Sequence, residues 1–464
     1  MSAPHPSAYA AGVPRLLLVF ALGLLGRTSY AQSLDDAPTG AAQLALAGGG
    51  VAALLGPSGL FTNPASAPGD LRLSATLGLS VSARTVLPRP NALNLALPEA
   101  RDGSAPRVSP SLALAQPLGR RGLWLLAGYR FGLDVDSRYF PPTVSDTPDP
   151  LRYVGPELAL HQHVFAAGLA FSRRHVTVGA SLELGPLSLS FRRTMWVGLS
   201  DDRAHVEETH LDLEARVRLS GFGATGRVGL LVRPARWLRL ALSARAPLHV
   251  AFSGTVEFSG PRGAPLGYRA VRPGGESATL GLTLPLELVA GLAVEARRWL
   301  VVHLASTLST WGLADDPEVA LADASLTLVR SAGAPDRRPL PGLPLGLRLR
   351  HAFGLQAGVE LPLLDGFLVL RAAWAFQRGA SDPSAPSATL LDLDRHRLGL
   401  GLAVAAGRVH ASLGVQHTFD ASLTAGDDAL RLFNPLDPAI ATVVGRGRYV
   451  GGGTRLGLEL GVGW

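Results

Sequence analysis

Apolar and polar residues alternate along most of this 464-residue chain, and the period is two. In Leu71 to Arg84 the odd positions are Leu71, Leu73, Ala75, Leu77, Leu79, Val81 and Ala83, while the even ones are Arg72, Ser74, Thr76, Gly78, Ser80, Ser82 and Arg84. Successive side chains of a strand point to opposite faces, so each such run has one greasy face and one wet face. Ser277 to Glu295 repeats the logic with Leu280, Leu282, Leu284, Leu286, Leu288, Ala290, Leu292 and Val294 on one face. Leu211 to Ser220 does so with Leu211, Leu213, Ala215, Val217 and Leu219 set against Asp212, Glu214, Arg216 and Arg218. A soluble sandwich also alternates. These runs are longer than ordinary strands, and many charges share their polar faces while the apolar faces are nearly unbroken. That is the pattern of a barrel whose apolar side meets lipid.

The alternation predicts about fourteen strands, near 71–85, 107–117, 122–136, 160–173, 175–197, 208–233, 237–258, 275–295, 299–311, 344–361, 367–378, 391–406, 408–420 and 447–464. Tight turns near 118–121, 234–236, 296–298 and 362–366 alternate with long polar connections such as 136–157, the habit of a barrel with short periplasmic turns and long outer loops. The expected fold class is therefore all-β: a transmembrane antiparallel β-barrel of about fourteen strands over 71–464. An even count returns the C-terminus to the side where the first strand begins.

Before that strand, residues 41–69 read AAQLALAGGGVAALLGPSGLFTNPASAPG. Gly48-Gly49-Gly50 and Gly56-Pro57-Ser58-Gly59 break regular structure, while Val51 to Leu55 is apolar enough to need burial. Residues 32–70 are expected to form a hatch inside the barrel. Asn63-Pro64-Ala65 would pin its end, because Pro64 pushes Asn63 towards an extended backbone and the Asn63 side chain can bond nearby backbone groups. Residues 1–31 read as a signal peptide: Arg15 precedes the apolar Leu16 to Gly26, and Ser29-Tyr30-Ala31 offers a cleavage site. No later segment has about 18 uninterrupted apolar residues that would span a bilayer as a helix.

Composition changes the picture little. Cysteine is absent, which removes disulfides, thiol nucleophiles and cysteine-ligated metal, and all 43 basic residues are arginine. Removing the leader takes the formal charge from +7 to +5, through loss of Arg15 and Arg27, and no concentrated basic run suggests nucleic acid. Aromatic residues are 6% of the chain, so interface girdles are expected to be sparse.

Candidate chemistry is thin. Gly221 to Gly226 fits G-x-G-x-x-G, but no helix follows it. The apolar parity changes between Leu219 and Phe222, and again at Gly185-Pro186, and a bulge is expected at each. His161 and His163 share a strand face without a close third ligand, and read as ordinary polar positions. Asp201-Asp202, Glu207-Glu208, His205 and His210 crowd one outer loop and read as solvated. No G-x-S-x-G elbow or other nucleophile constellation appears, so neither an enzyme nor a cofactor nor a metal site is expected. On the third strand Leu123, Leu125, Ala127, Tyr129, Phe131 and Leu133 should face lipid. That turns Trp124, Leu126, Gly128, Arg130, Gly132 and Asp134 inward. Trp124 and Leu126, facing Leu54, Leu55, Leu60 and Phe61 of the hatch, are candidates for an apolar ligand site with Arg130 as a carboxylate partner. Simple packing of hatch on wall is the alternative.

Two features give the chain a family resemblance. Leu456, Leu458, Leu460, Val462 and Trp464 alternate up to a terminal aromatic, which is similar to the insertion signal read by the barrel-assembly machinery of bacterial outer membranes. The hatch with Asn63-Pro64-Ala65, and the strand pairs in 228–247, 282–311 and 347–378, resemble the FadL/TodX family of outer-membrane channels. The resemblance implies a monomeric barrel in outer-membrane lipid that passively admits hydrophobic small molecules, such as long-chain fatty acids or aromatic hydrocarbons, past the hatch. It also implies a lateral exit at a kink in the third strand, for which Gly128 and Gly132 are the bending points. A FadL-like barrel serving as an adaptor for a secretion machine is the rival reading, and an outer-membrane lipid hydrolase is a third.

Overall fold

The computed structural model describes residues 39–464 apart from 89–99, 103–104, 120–121, 141–149, 154–156, 201–208, 314–316, 341, 346–347, 383–391, 427–432, 441–442 and 444. The proposed leader, 1–31, and residues 201–208 of the acidic outer loop lie outside the described residues. Fourteen antiparallel strands close on themselves. They are β1 (Leu73–Pro88), β2 (Arg107–Pro117), β3 (Leu123–Phe140), β4 (Glu157–Arg173), β5 (Val176–Trp196), β6 (Asp212–Ala235), β7 (Leu238–Arg245 and Leu248–Ser259), β8 (Ser277–Leu284 and Glu287–Arg297), β9 (Leu300–Ser309), β10 (Ala352–Leu363), β11 (Leu368–Arg378), β12 (Arg395–Ala406), β13 (Val409–Ala425) and β14 (Gly447–Val462). Closure is by β1 on β14, in register from Leu73↔Val462 to Pro88↔Gly447. Full closure leaves no edge to pair elsewhere, which is what a membrane-spanning sheet requires.

The lower half of the wall, at the short-turn end, follows the expected parity. On β14, Leu458, Leu460 and Val462 face outward and are exposed, while Glu459 is buried inside. On β5, Val176, Val178 and Leu182 face outward, while Thr177, Ser181 and Glu183 face the lumen.

The upper half reverses this, and several sequence expectations fall with it. Leu213, Ala215, Val217 and Leu219 of β6 are buried inside the barrel, whereas Arg216 and Arg218 are exposed outside. The greasy face of 211–220 therefore does not meet lipid. Nor is there a bulge at Gly221 or at Gly185-Pro186: β5 and β6 stay in one register from Val176↔Val232 to Trp196↔Asp212, with Pro186 opposite Phe222 and Leu187 opposite Gly221. The strands run straight on while their surroundings change from lipid to water, so the apolar residues move to the inner face.

A bulge in β3 and a paired break in β7 and β8 achieve the same inversion by the opposite means. β3 shifts register against β4 between Phe131 and Asp134. This buries Leu133 and Val135 inside and leaves Asp134 beside His161 on the other face, the reverse of the expected orientation of Leu133 and Asp134. β7 and β8 are each interrupted at a proline. Arg245↔Glu287 is the last pair below the break, and Leu248↔Leu284 is the first above it. Below the break Leu240 and Leu242 are exposed outward, and above it Leu248, Val250 and Phe252 are buried inward. Likewise Leu280 and Leu284 point inward while Thr283 lies outside, bonded to His249, so the even face of 277–295 is not one lipid-facing surface. Proline supplies no N–H to the ladder, which suits it to such a break.

The inverted upper half encloses an apolar core that includes Leu187, Leu189, Phe191, Leu219, Val250 and Phe252. A three-stranded sheet of Tyr268–Gly274, Ser325–Arg330 and Asp336–Pro339, from two outer connections, closes over it with Val271, Leu326 and Leu328 turned down. The turn at Asn434 clasps the same mouth. Its Nδ2 donates to Gly198 O at 2.9 Å, Ser200 Oγ donates to Asp437 at 2.8 Å, and Leu436 enters the core. Tyr153 donates to Asp212 at 2.6 Å beside Arg152, and burial raises its phenol above the ordinary range, so it remains a donor.

The aromatic residues are few but banded. Trp237, Trp299, Phe367 and Trp464 are exposed at the short-turn end. Near the inversion level, Tyr129, Phe131, His163 and Phe165 cluster on the outer wall, and Trp374, Phe376 and His396 form a second group. Phe367 and Phe376 stand nine residues apart along one tilted strand, or roughly 20–25 Å across a membrane, matching the apolar band of outer-membrane barrels.

Candidate functional site

Residues 39–70 occupy the bore of the lower half. They form a short helix, Ala41–Ala45, and three short 3-10 segments, Gly50–Ala52, Gly56–Phe61 and Pro64–Ser66. At wall glycines the segment lies directly against the strand backbone. A Cβ at Gly229 would stand 2.0 Å from Asn63 Oδ1, and one at Gly414 2.1 Å from Ala41 O, so these wall positions admit no side chain. This close approach explains inward glycines on strands that otherwise favour bulkier residues.

A few polar anchors fix the segment. Glu459, buried on β14, accepts from Ala41 N at 3.0 Å at the start of the helix. Asn63 is fully buried. Its Nδ2 donates to Val51 O at 3.1 Å and to Leu230 O of β6 at 3.4 Å, and its Oδ1 accepts from Ala65 N at 3.1 Å. Pro64 begins the turn that follows, and its backbone lies against Gly179. One side chain thus ties two parts of the segment to each other and to the wall.

Above the segment lies a buried charge cluster. Glu183 is met by Arg227 at 2.8 Å, Arg245 at 3.2 Å and Arg130 at 3.6 Å, and Glu287 by Arg227 at 3.6 Å and Arg245 at 3.8 Å. Three arginines against two carboxylates leave a net positive charge where the dielectric is low. Arg227 also donates to Thr62 O at 3.4 Å, joining cluster to segment. A cavity of about 180 Å³ opens here between the N-terminal segment and the upper core, with Phe61 and Trp311 among its walls.

The candidate ligand residues divide. Leu60, Phe61 and Leu126 are buried together, with Trp124 packed against them. Leu55 joins Leu46 and Ala53 instead, and Leu54 stands apart, 48% exposed. Leu60, Leu126 and Trp124 pack segment to wall, and only Phe61 of the six borders the cavity. Arg130 lines the cavity and sits over the Phe61 ring at 5.4 Å. Gly128 lies under Phe61 and Leu60, and Gly132 falls within the register shift of β3. The β2–β3 ladder ends at Ser111↔Arg130, and among the described residues β3 pairs again on that side only at Tyr139 and Phe140. Sequence reasoning missed Glu183, Arg227, Arg245, Glu287, Gln356 and Glu459. Their one available signal was a charged or amide group at inward parity on a long strand, and nothing in a single sequence tells which of them meet.

The closed fourteen-strand barrel with an apolar outer belt has the fold of an integral outer-membrane β-barrel. Its fold is that of FadL/TodX-type channels. The chain superposes on a Pseudomonas aeruginosa FadL homologue with a TM-score of 0.66 at 14% identity, covering 94% of this chain and 100% of that one. The Pseudomonas putida toluene transporter TodX gives 0.64 at 16%, with the same coverages, and the Ralstonia pickettii toluene transporter TbuX gives 0.59 at 15%, covering 92% and 98%. No protein-family model and no curated relative matches the sequence. At these identities the likeness is one of fold.

Proposed function

We propose that this chain is a passive, non-enzymatic outer-membrane channel for hydrophobic small molecules, with its N-terminal segment as the gate. The observation that carries the reading is the cavity held between residues 39–70 and the upper apolar core. A solute there has the upper core and its three-stranded sheet above it and the N-terminal segment below. The toluene transporters that share the fold support the hydrophobic class of cargo. Purified protein in liposomes should speed equilibration of an apolar aromatic solute across the bilayer relative to protein-free vesicles. Equal rates would refute the transport reading.

A further inference from the structure

The cavity is the size of one substituted ring and lined like a site for an acid. A dry cavity of roughly 150 Å³ suffices for benzene when its lining is Leu, Ile and Phe. Here about 180 Å³ is bordered by Arg130, Arg227, Arg397 and Arg455 against Glu287 and Asp392, and with Glu183, which meets Arg130 and Arg227 from behind, the balance is one positive charge in excess. A bare hydrocarbon would gain from the apolar walls alone while stripping water from the guanidinium groups. An anionic group would instead meet charge-assisted donors, since each guanidinium carries five N–H groups and can serve a second acceptor beside its protein partner. One further group points to the rest of the ligand. Gln356 is 9% exposed and borders the cavity; its Nε2 reaches Thr307 at 3.5 Å, while its Oε1 accepts no hydrogen bond. A buried acceptor of that kind fits a ligand hydroxyl. Phe61 and Trp311 supply apolar and aromatic surface for a ring.

We infer that this cavity takes a ring-sized organic acid bearing a hydroxyl group, an aromatic hydroxycarboxylate in kind, in preference to a bare hydrocarbon or a long acyl chain. The inference rests on the transport reading for what the cavity is for, but not for what it binds. The amphipathic cargo offers its ring to the aromatic surface and its carboxylate to the arginines, with the hydroxyl donated to Gln356 Oε1.

The test is calorimetric titration of the purified full chain in detergent with 4-hydroxybenzoate, benzoate, toluene and hexadecanoate, beside liposome uptake of the same compounds. The expected result is saturable binding of 4-hydroxybenzoate that excess toluene does not displace. Gln356→Leu should weaken that binding at least tenfold and leave benzoate within twofold, while heat-modifiable migration shows the variant folded. Toluene or hexadecanoate binding where 4-hydroxybenzoate does not, or a Gln356→Leu variant that treats both acids alike, overturns the inference. Toluene uptake without any 4-hydroxybenzoate binding overturns the ligand assignment and leaves transport standing. Binding of 4-hydroxybenzoate without uptake of any compound upholds the site and removes the transport reading instead.

Discussion

Replacing Asn63 with Ala should unlock the gate without unfolding the barrel. The substitution removes the bonds from Nδ2 to Val51 O and Leu230 O and the bond from Ala65 N to Oδ1. Leu230 O belongs to the strand ladder, but Val51 O and Ala65 N lose a partner in buried surroundings, at about 1–3 kcal/mol each. Partial relaxation brings the expected cost to roughly 3 kcal/mol, which shifts the balance between seated and displaced segment by about two orders of magnitude. The fourteen strands keep their own hydrogen bonds, so heat-modifiable migration should be unchanged. In planar bilayers the variant should show open events far more often than the parent, and a cysteine placed at Gly48, otherwise inside the bore, should react faster with a water-soluble maleimide. Unchanged conductance together with unchanged labelling would show that Asn63 does not hold the segment, and the gate would have to be sought elsewhere.

Three further outcomes are expected. Leu182→Arg, on the lipid face of β5, should cost about 2–4 kcal/mol of insertion stability if it lies near the bilayer midplane, whereas Arg218→Leu above the membrane should cost under about 1 kcal/mol, since only an exposed pair with Glu257 is lost; urea unfolding in liposomes separates the two, and equal costs would refute the inversion of faces. Trp464→Asp should lower the amount of folded protein in the outer membrane, measured by heat-modifiable migration of membrane fractions, because the lower aromatic band loses its terminal member. Ser200→Cys with Asp437→Cys, in a chain without native cysteine, should close the outer mouth when oxidised and slow uptake reversibly, since these side chains meet at 2.8 Å across it; uptake insensitive to oxidation would show that solutes bypass the Asn434 clasp.

How far the sequence could be read depended on what each residue faces. The strands themselves were legible, because period-two alternation is a local property, and so was the closed barrel they build. The direction of the apolar face was legible only where the wall lies in lipid. In β6 the leucines at 213 and 219 turn inward because the strand has risen above the membrane into water, and alternation looks the same in either setting. Reading every greasy face as lipid-facing placed bulges at Gly221 and Gly185, where the pairing is continuous, and overlooked the bulge at Gly132–Leu133 and the paired proline breaks at Ala246–Pro247 and Pro285–Leu286. Those three are where the sequence keeps its parity and the backbone turns over. The prolines at 247 and 285 were the available hint. Asn63-Pro64-Ala65 drew attention by its backbone chemistry. The cluster around Glu183 did not, since its members lie on β3, β5, β6, β7 and β8 and only the register of those strands brings them together, with Arg227 opposite Arg245 and Arg245 opposite Glu287.

The most direct test of the gate is to tie the N-terminal segment to the wall and ask whether transport stops. A Cβ at Gly49 would lie 2.9 Å from the Gln356 Cβ, which a small shift brings into disulfide range. Gly49→Cys with Gln356→Cys should therefore cross-link on oxidation, and uptake of an apolar aromatic solute into proteoliposomes would be followed before oxidation, after it and after reduction. If the segment must move, uptake falls to the rate of empty vesicles in the oxidised state and recovers on reduction. Uptake at the same rate in the oxidised and reduced forms of one fully cross-linked preparation would contradict the account.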